Sequence, residues 1–219
     1  TKTLDILNKW KIKNTNPSYP EKKPKMIFIN CSGGGLRSSL WTFFALQNID
    51  SLTHGKLLKQ TQLITGSSGG MVGAAYLREL YLLQQQNNIK SYYPKTYVNN
   101  MEKDILNPIS FKIATNEWFF SMQSFMLDGN RYPKDRAYAF ERGLNDNTDN
   151  VLKDKRLYDY YLPEAYSILP MMLFSPSILN DGRKLLVSSQ RISYITQNFK
   201  TNNITYEELY DAIEYSRFF

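Results

Sequence analysis

Apolar positions recur along this chain in two rhythms, and each predicts a different kind of element. Lys25 to Asn30, KMIFIN, is a continuous apolar run too short for a helix, the pattern of a buried parallel strand. Thr61 to Thr65 reads as a second such strand. A glycine-rich stretch follows each run, and then apolar residues return at helical spacing. After the first strand, LWTFFALQNIDSL predicts a helix ending near His54-Gly55. After the second, Ala74, Ala75, Leu77, Leu80 and Leu82 mark a longer one. Strand, loop, helix, twice over, predicts a mainly parallel α/β sheet, whose ligands sit at the carboxyl ends of the strands.

Outside this repeat the pattern is less regular. Residues 1–24 form a polar, Pro-containing lead-in, with Leu4, Leu7 and Trp10 at roughly helical spacing. Residues 84–163 are rich in Asn, Tyr and Phe and predict a helical insertion over the sheet, with helical pieces at 116–127 and 135–144. Two apolar runs, 170–179 and 184–195, flank Asn180-Asp181-Gly182-Arg183, a strong hairpin signal. A last helix is predicted from Thr205, where Glu208 completes a capping box, to Arg217.

Composition narrows the function classes. The chain has 219 residues, 42% of them hydrophobic, which is enough for one sizeable core. It contains one cysteine, Cys31, which excludes an internal disulfide and a Cys-rich zinc site. The formal charge of +7 favours anionic partners only as a field, and no block of five like charges points to nucleic acid. Glu102 with Asp104, and Asp146 with Asp149, read as solvated surface rather than an acid/base or metal pair.

The candidate chemistry lies in the two glycine stretches. Gly66-Ser67-Ser68-Gly69-Gly70 fits Gly-x-Ser-x-Gly, in which small neighbours let a serine occupy a strained strand-to-helix corner with its hydroxyl exposed. Gly33-Gly34-Gly35-Leu36-Arg37 follows the first strand, where three glycines allow consecutive N–H groups to converge on a developing oxyanion. A nucleotide-binding turn fits less well, because Ser38 stands where the dinucleotide fingerprint needs its last glycine and the phosphate-loop lysine is missing. The one histidine, His54, precedes Ser68 at a helix end, so a Ser-His-Asp triad within the chain is excluded. Cys31 has no histidine partner and reads as a buried strand-end thiol.

A strand, a Gly-Gly-Gly-x-Arg loop, a Gly-x-Ser-x-Gly corner some thirty residues on and no usable histidine together resemble the patatin-like phospholipases of bacteria. The resemblance is specific at the two loops and looser over the rest of the chain. It implies a three-layer α/β/α fold carrying a Ser–Asp dyad that hydrolyses lipid or phospholipid esters at a membrane surface, without a metal or cofactor. Residue by residue, it makes Ser68 the nucleophile, assigns the oxyanion hole to Gly33, Gly34, Gly35 and Gly69, and has Arg37 brace that hole. Ser32 and Ser38 depart from the Asp and Gly that the family often carries there.

The dyad aspartate is open on this reading. Asp128-Gly129, Asp181-Gly182 and Asp211-Ala212 are the candidates within the chain. The segment LFSPSILNDGRKLLVSS resembles a family element that precedes the catalytic aspartate by a helix and a strand, which would place that aspartate beyond Phe219. The expectation is therefore one patatin-like domain, incomplete at its C-terminus, whose acid comes from the rest of the polypeptide or another chain. An inactive structural or lipid-binding component is the alternative. The apolar residues Trp118, Phe119, Phe120, Met122, Phe125 and Met126 suit either helical packing or a membrane-contacting cap.

Overall fold

The computed structural model describes residues 2–114, 123–127, 129–153, 155–196, 200–201, 204–205 and 212–215. They divide into two compact units, Pro94–Lys155 and the residues on either side of it. In chain order, the first half holds α1 (Lys2–Asn14), β1 (Ile27–Cys31), α2 (Gly35–Leu52), α3 (Lys56–Gln60), β2 (Thr61–Gly66) and α4 (Ser68–Gln85). Then come α5 (Lys95–Glu102), α6 (Leu106–Lys112), β3 (Ser124–Leu127), β4 (Asn130–Pro133) and α7 (Arg136–Asn147). The remainder holds α8 (Tyr161–Ala165), β5 (Met171–Phe174), β6 (Lys184–Leu186), α9 (Ser193–Thr196), β7 (Lys200–Thr201), β8 (Ile204–Thr205) and β9 (Ala212–Glu214).

The fold is α/β around a parallel sheet in the order β1-β2-β5. Side chains alternate across a strand, so each strand serves two faces. Leu63, Met171 and Leu173 share one face with Ile6 of α1. Ile64 and Met172 turn to the other face, where α4 contacts the sheet, and both are fully buried. Here α2 and α4 pack closely, because Gly73 has no side chain: a Cβ there would lie 2.1 Å from the Ser39 carbonyl oxygen.

The lead-in is helical where its apolar residues allow, but the buried stripe is Ile6 and Trp10, not Leu4, which is exposed. The spacing i, i+4 puts Ile6 and Trp10 on one face. Trp10 Nε1 donates to the Gln60 carbonyl (3.2 Å), and Ser167 Oγ donates to the Ile6 carbonyl (2.8 Å), fastening α1 at both levels. A buried ion pair locks the other layer. Arg78 of α4 meets Glu164 of α8, and the same carboxylate accepts from Met172 N of β5 (3.2 Å) and from Ser189 Oγ.

Three expected elements differ from those observed. Residues 124–127 form a strand rather than the end of a helix, paired antiparallel with Asn130–Pro133 across Gly129 (φ 78°). A turn with Gly129 at positive φ outweighs helical spacing, and Phe125 stacks on Tyr132 across the hairpin. Residues 116–122 lie outside the described residues. The helix expected from Thr205 is likewise not found where residues are described: Ile204–Thr205 pair with β7, and Ala212–Glu214 run parallel to β6. There the buried Glu214 carboxylate accepts from Ile192 N (3.0 Å), a tertiary contact that overrides helix propensity. The run 184–195 is strand only over its first three residues and helical again at α9. The hairpin expected at Asp181-Gly182 is present as bridges between Phe174 and Val187 and between Ser177 and Lys184.

The unit Pro94–Lys155 combines α5, α6 and α7 with the β3-β4 hairpin. Asp135 caps α7 by accepting from Ala137 N (2.9 Å) and Tyr138 N (3.1 Å), which sets the start of the helix expected there.

Candidate active site

The parallel sheet places three chain reversals side by side, because Cys31, Gly66 and Phe174 are paired neighbours at the carboxyl ends of β1, β2 and β5. At Gly66 the two backbones approach so closely that a Cβ would fall 2.1 Å from the Cys31 carbonyl oxygen, and φ is +142°. Glycine is obligatory there on both counts. Ser175 ties the third strand in, donating from its N–H (2.9 Å) and its Oγ (3.1 Å) to the Gly66 carbonyl.

Ser67 is extended, and Ser68, the first residue of α4, has φ +57°. A non-glycine residue in the left-handed region costs about 1–2 kcal/mol. The strain is the strand-to-helix corner expected from Gly-x-Ser-x-Gly, and it leaves Ser68 exposed above the end of the sheet.

The loop after β1 lies against this corner. A Cβ on Gly33 would sit 3.1 Å from Ser68 Cβ and 3.6 Å from Ser68 Oγ. Gly69 is pressed still harder, with the Gly35 carbonyl oxygen 1.8 Å from where its Cβ would be. The structure thus sets Gly33 against Ser68 and Gly35 against Gly69, whereas Gly34 faces Ser38 of its own loop. The N–H groups of Gly33 and Gly34 donate to no described residue, and those of Gly35 and Gly69 stand in the first turns of α2 and α4, where helix amides have no partner within the helix. The loop after β1 and the start of α4 thus meet at Ser68, and the N-terminal ends of α2 and α4, the positive ends of their dipoles, lie at this corner.

Arg37 lies in the first turn of α2, exposed, and has no hydrogen-bond or ion-pair partner among the described residues. The loop is instead closed by Ser38, whose Oγ donates to the Ser32 carbonyl (2.6 Å). Sequence reasoning counted Ser38 as a departure and missed this role. A hydroxyl one turn into a helix, six residues after the carbonyl it bonds, was the available signal.

The dyad candidates fare differently. Asp181 is turned back on its own loop, accepting from Arg183 N (3.0 Å) and Nε (2.7 Å), and the guanidinium holds its carboxyl below the usual range. Asp128 and Asp211 lie outside the described residues. Ser68 Oγ has no hydrogen-bond partner among the described residues, so none of their carboxylates activates it.

His54 sits in the turn after α2, with φ +54°. Eighteen residues of α2 separate that turn from the glycine loop, a rise of about 27 Å. It cannot serve Ser68. Cys31 is buried beside the corner, and burial pushes its thiol up to about 11. A protonated thiol is a poor nucleophile.

Among the described residues no helix is long and apolar enough to cross a membrane. In comparisons with protein-family models, with curated proteins and with solved structures, nothing matches this chain.

Proposed function

We propose that this chain carries the nucleophile and oxyanion hole of a serine acyl hydrolase of patatin-like type acting on lipid esters. One observation carries the reading: a strained, exposed Ser68 is set against a glycine loop whose amides are unengaged. The positive φ of Ser68 suits the strained corner that Gly-x-Ser-x-Gly implies, and Gly33 lies directly against its side chain. The lipid substrate class rests on the resemblance of the two loops to patatin-like phospholipases, and the charge of +7 suits an anionic lipid surface.

In this mechanism Ser68 Oγ attacks the ester carbonyl carbon and passes its proton to an aspartate carboxylate, which returns it to the departing alcohol. The carbonyl oxygen, negative in the tetrahedral intermediate, is held by the N–H groups of Gly33, Gly34, Gly35 and Gly69. Each such donor is worth about 10²–10³ in rate. Water, activated by the same carboxylate, then cleaves the acyl-enzyme. The aspartate comes from outside the described residues.

That no carboxylate of the described residues bonds Ser68 Oγ also favours a second reading, an inactive patatin-like component that binds lipid without cleaving it. A fluorophosphonate probe separates the two. The natural polypeptide is expected to be labelled at Ser68, found by mass spectrometry of its peptides, with labelling lost in Ser68→Ala. A folded protein that takes no label and turns over no ester leaves only the binding component.

A further inference from the structure

The end of the sheet remote from Ser68 holds a cavity of about 600 Å³ that the hydrolase reading does not use. That size lies within the range of small-molecule sites, about 300–1,000 Å³. Its lining includes Lys13, His54, Lys59, Tyr81, Tyr92 and Tyr93, with no carboxylate among the lining residues. Asp50, the acid nearest the floor, is fully buried and already engaged. Its Oδ1 accepts from Leu58 N (2.8 Å), and its Oδ2 from the hydroxyls of Tyr92 and of Tyr93 (2.8 Å).

Two features show donors and charge without a partner. Tyr81 is only 4% exposed, yet its hydroxyl has no hydrogen-bond partner among the described residues. Tyr81 is one of the residues that line the cavity. Burial, followed by the influence of Asp50 and Tyr93, pushes its phenol up to about 12, which keeps it a donor. The second feature is a pair of lysines brought together by the fold. Asn14 Nδ2 donates to the Lys59 carbonyl (3.2 Å), joining the end of α1 to the end of α3. Lys13 is thereby held beside Lys59, and burial together with that neighbouring charge lowers the Lys13 ammonium. Lys13 Nζ spends two donors on the Ser167 (2.9 Å) and Ile168 (3.3 Å) carbonyls, leaving one, while Lys59 has no acidic partner among the described residues.

We infer that this cavity is a binding site for a phosphate group, either of a small soluble phosphate ester or of a lipid headgroup. Two adjacent cations match a doubly charged anion better than a single carboxylate, and lysines serve phosphate as point charges. The lysine donors and the Tyr81 hydroxyl come from separate elements, as a tetrahedral oxyanion with several acceptor oxygens requires. The remaining volume takes the rest of the ester.

The test is titration of the folded protein with inorganic phosphate, followed by calorimetry and by the ³¹P line width. Saturable binding is expected, weakened roughly ten- to a hundredfold in Lys59→Ala and measurably in Tyr81→Phe, as loss of a hydrogen bond to a charged group implies. Ser68→Ala is expected to bind as the parent does, which separates this site from the glycine loop. Both substitutions fall at positions where folding is readily checked, since Lys59 is exposed and Tyr81→Phe removes one unpaired oxygen. Absence of saturable binding, or binding unchanged in both variants, overturns the inference. Co-sedimentation with phosphatidylcholine vesicles containing phosphatidic acid, lost in Lys59→Ala, assigns the phosphate to a headgroup. Phosphate binding without co-sedimentation assigns it to a soluble ester, and either result upholds the site.

Discussion

The two ends of the parallel sheet are built in opposite ways. At the carboxyl end, main chain makes the site: Gly33, Gly35, Gly66 and Gly69 let segments of backbone touch, with Ser68 exposed at their corner. At the amino end, side chains from distant parts of the chain make it. Lys13, Asp50, Lys59, Tyr81, Tyr92 and Tyr93 converge there from α1, α2, α3, α4 and the segment after α4. The first end depends on having no side chains at set positions, and the second on having particular ones. Their vulnerabilities differ accordingly.

The comparison can be broken most severely at Gly66. Gly66→Ala drives a Cβ to 2.1 Å from a backbone oxygen at a φ that alanine rarely adopts. The expected loss exceeds about 4 kcal/mol, seen as failure to fold or a collapse of the denaturation midpoint. A mild effect would show that the main-chain contact between β1 and β2 is not tight.

At the other end, Asp50→Ala strips the acceptor from Leu58 N, Tyr92 and Tyr93 at once. A loss of about 3 kcal/mol in urea unfolding is expected, because the buried donors stay unsatisfied. A change of the size seen at ordinary surface positions would mean that side chains do not organise that end.

The smallest effect sharpens the contrast. Ser68→Gly relieves a strained φ, so stability should rise by about 1 kcal/mol while probe labelling disappears. A destabilised Ser68→Gly protein would mean that the serine stabilises its corner rather than being strained in it.

Much of the first end was legible before any coordinates. Glycine spacing after two short apolar runs located both loops, since close backbone approach and positive φ leave few residues possible. The carboxyl-end placement followed from parallel topology. The contact of Gly33 with Ser68 was anticipated in kind, whereas the Ser38–Ser32 closure was read only as a deviation. The far end left no such trace. His54 was read as a helix-end residue, which it is, but nothing in its sequence neighbours announced a cavity shared with Lys13 and Tyr93, because a cluster drawn from both ends of that stretch of chain has no local signature. The misread helices share one cause: helical spacing over 124–127 and 212–214 was outweighed by a turn and by pairing with a distant strand.

What the sequence determined alone was local: which stretches are buried strand, where the chain must turn without side chains, and which serine stands at such a turn. Those features follow from steric limits that act over a few residues. Which strands pair, which side chains share a cavity and whether a carboxylate reaches Ser68 were decided by tertiary structure, because they depend on loop closures and packing that no short window contains.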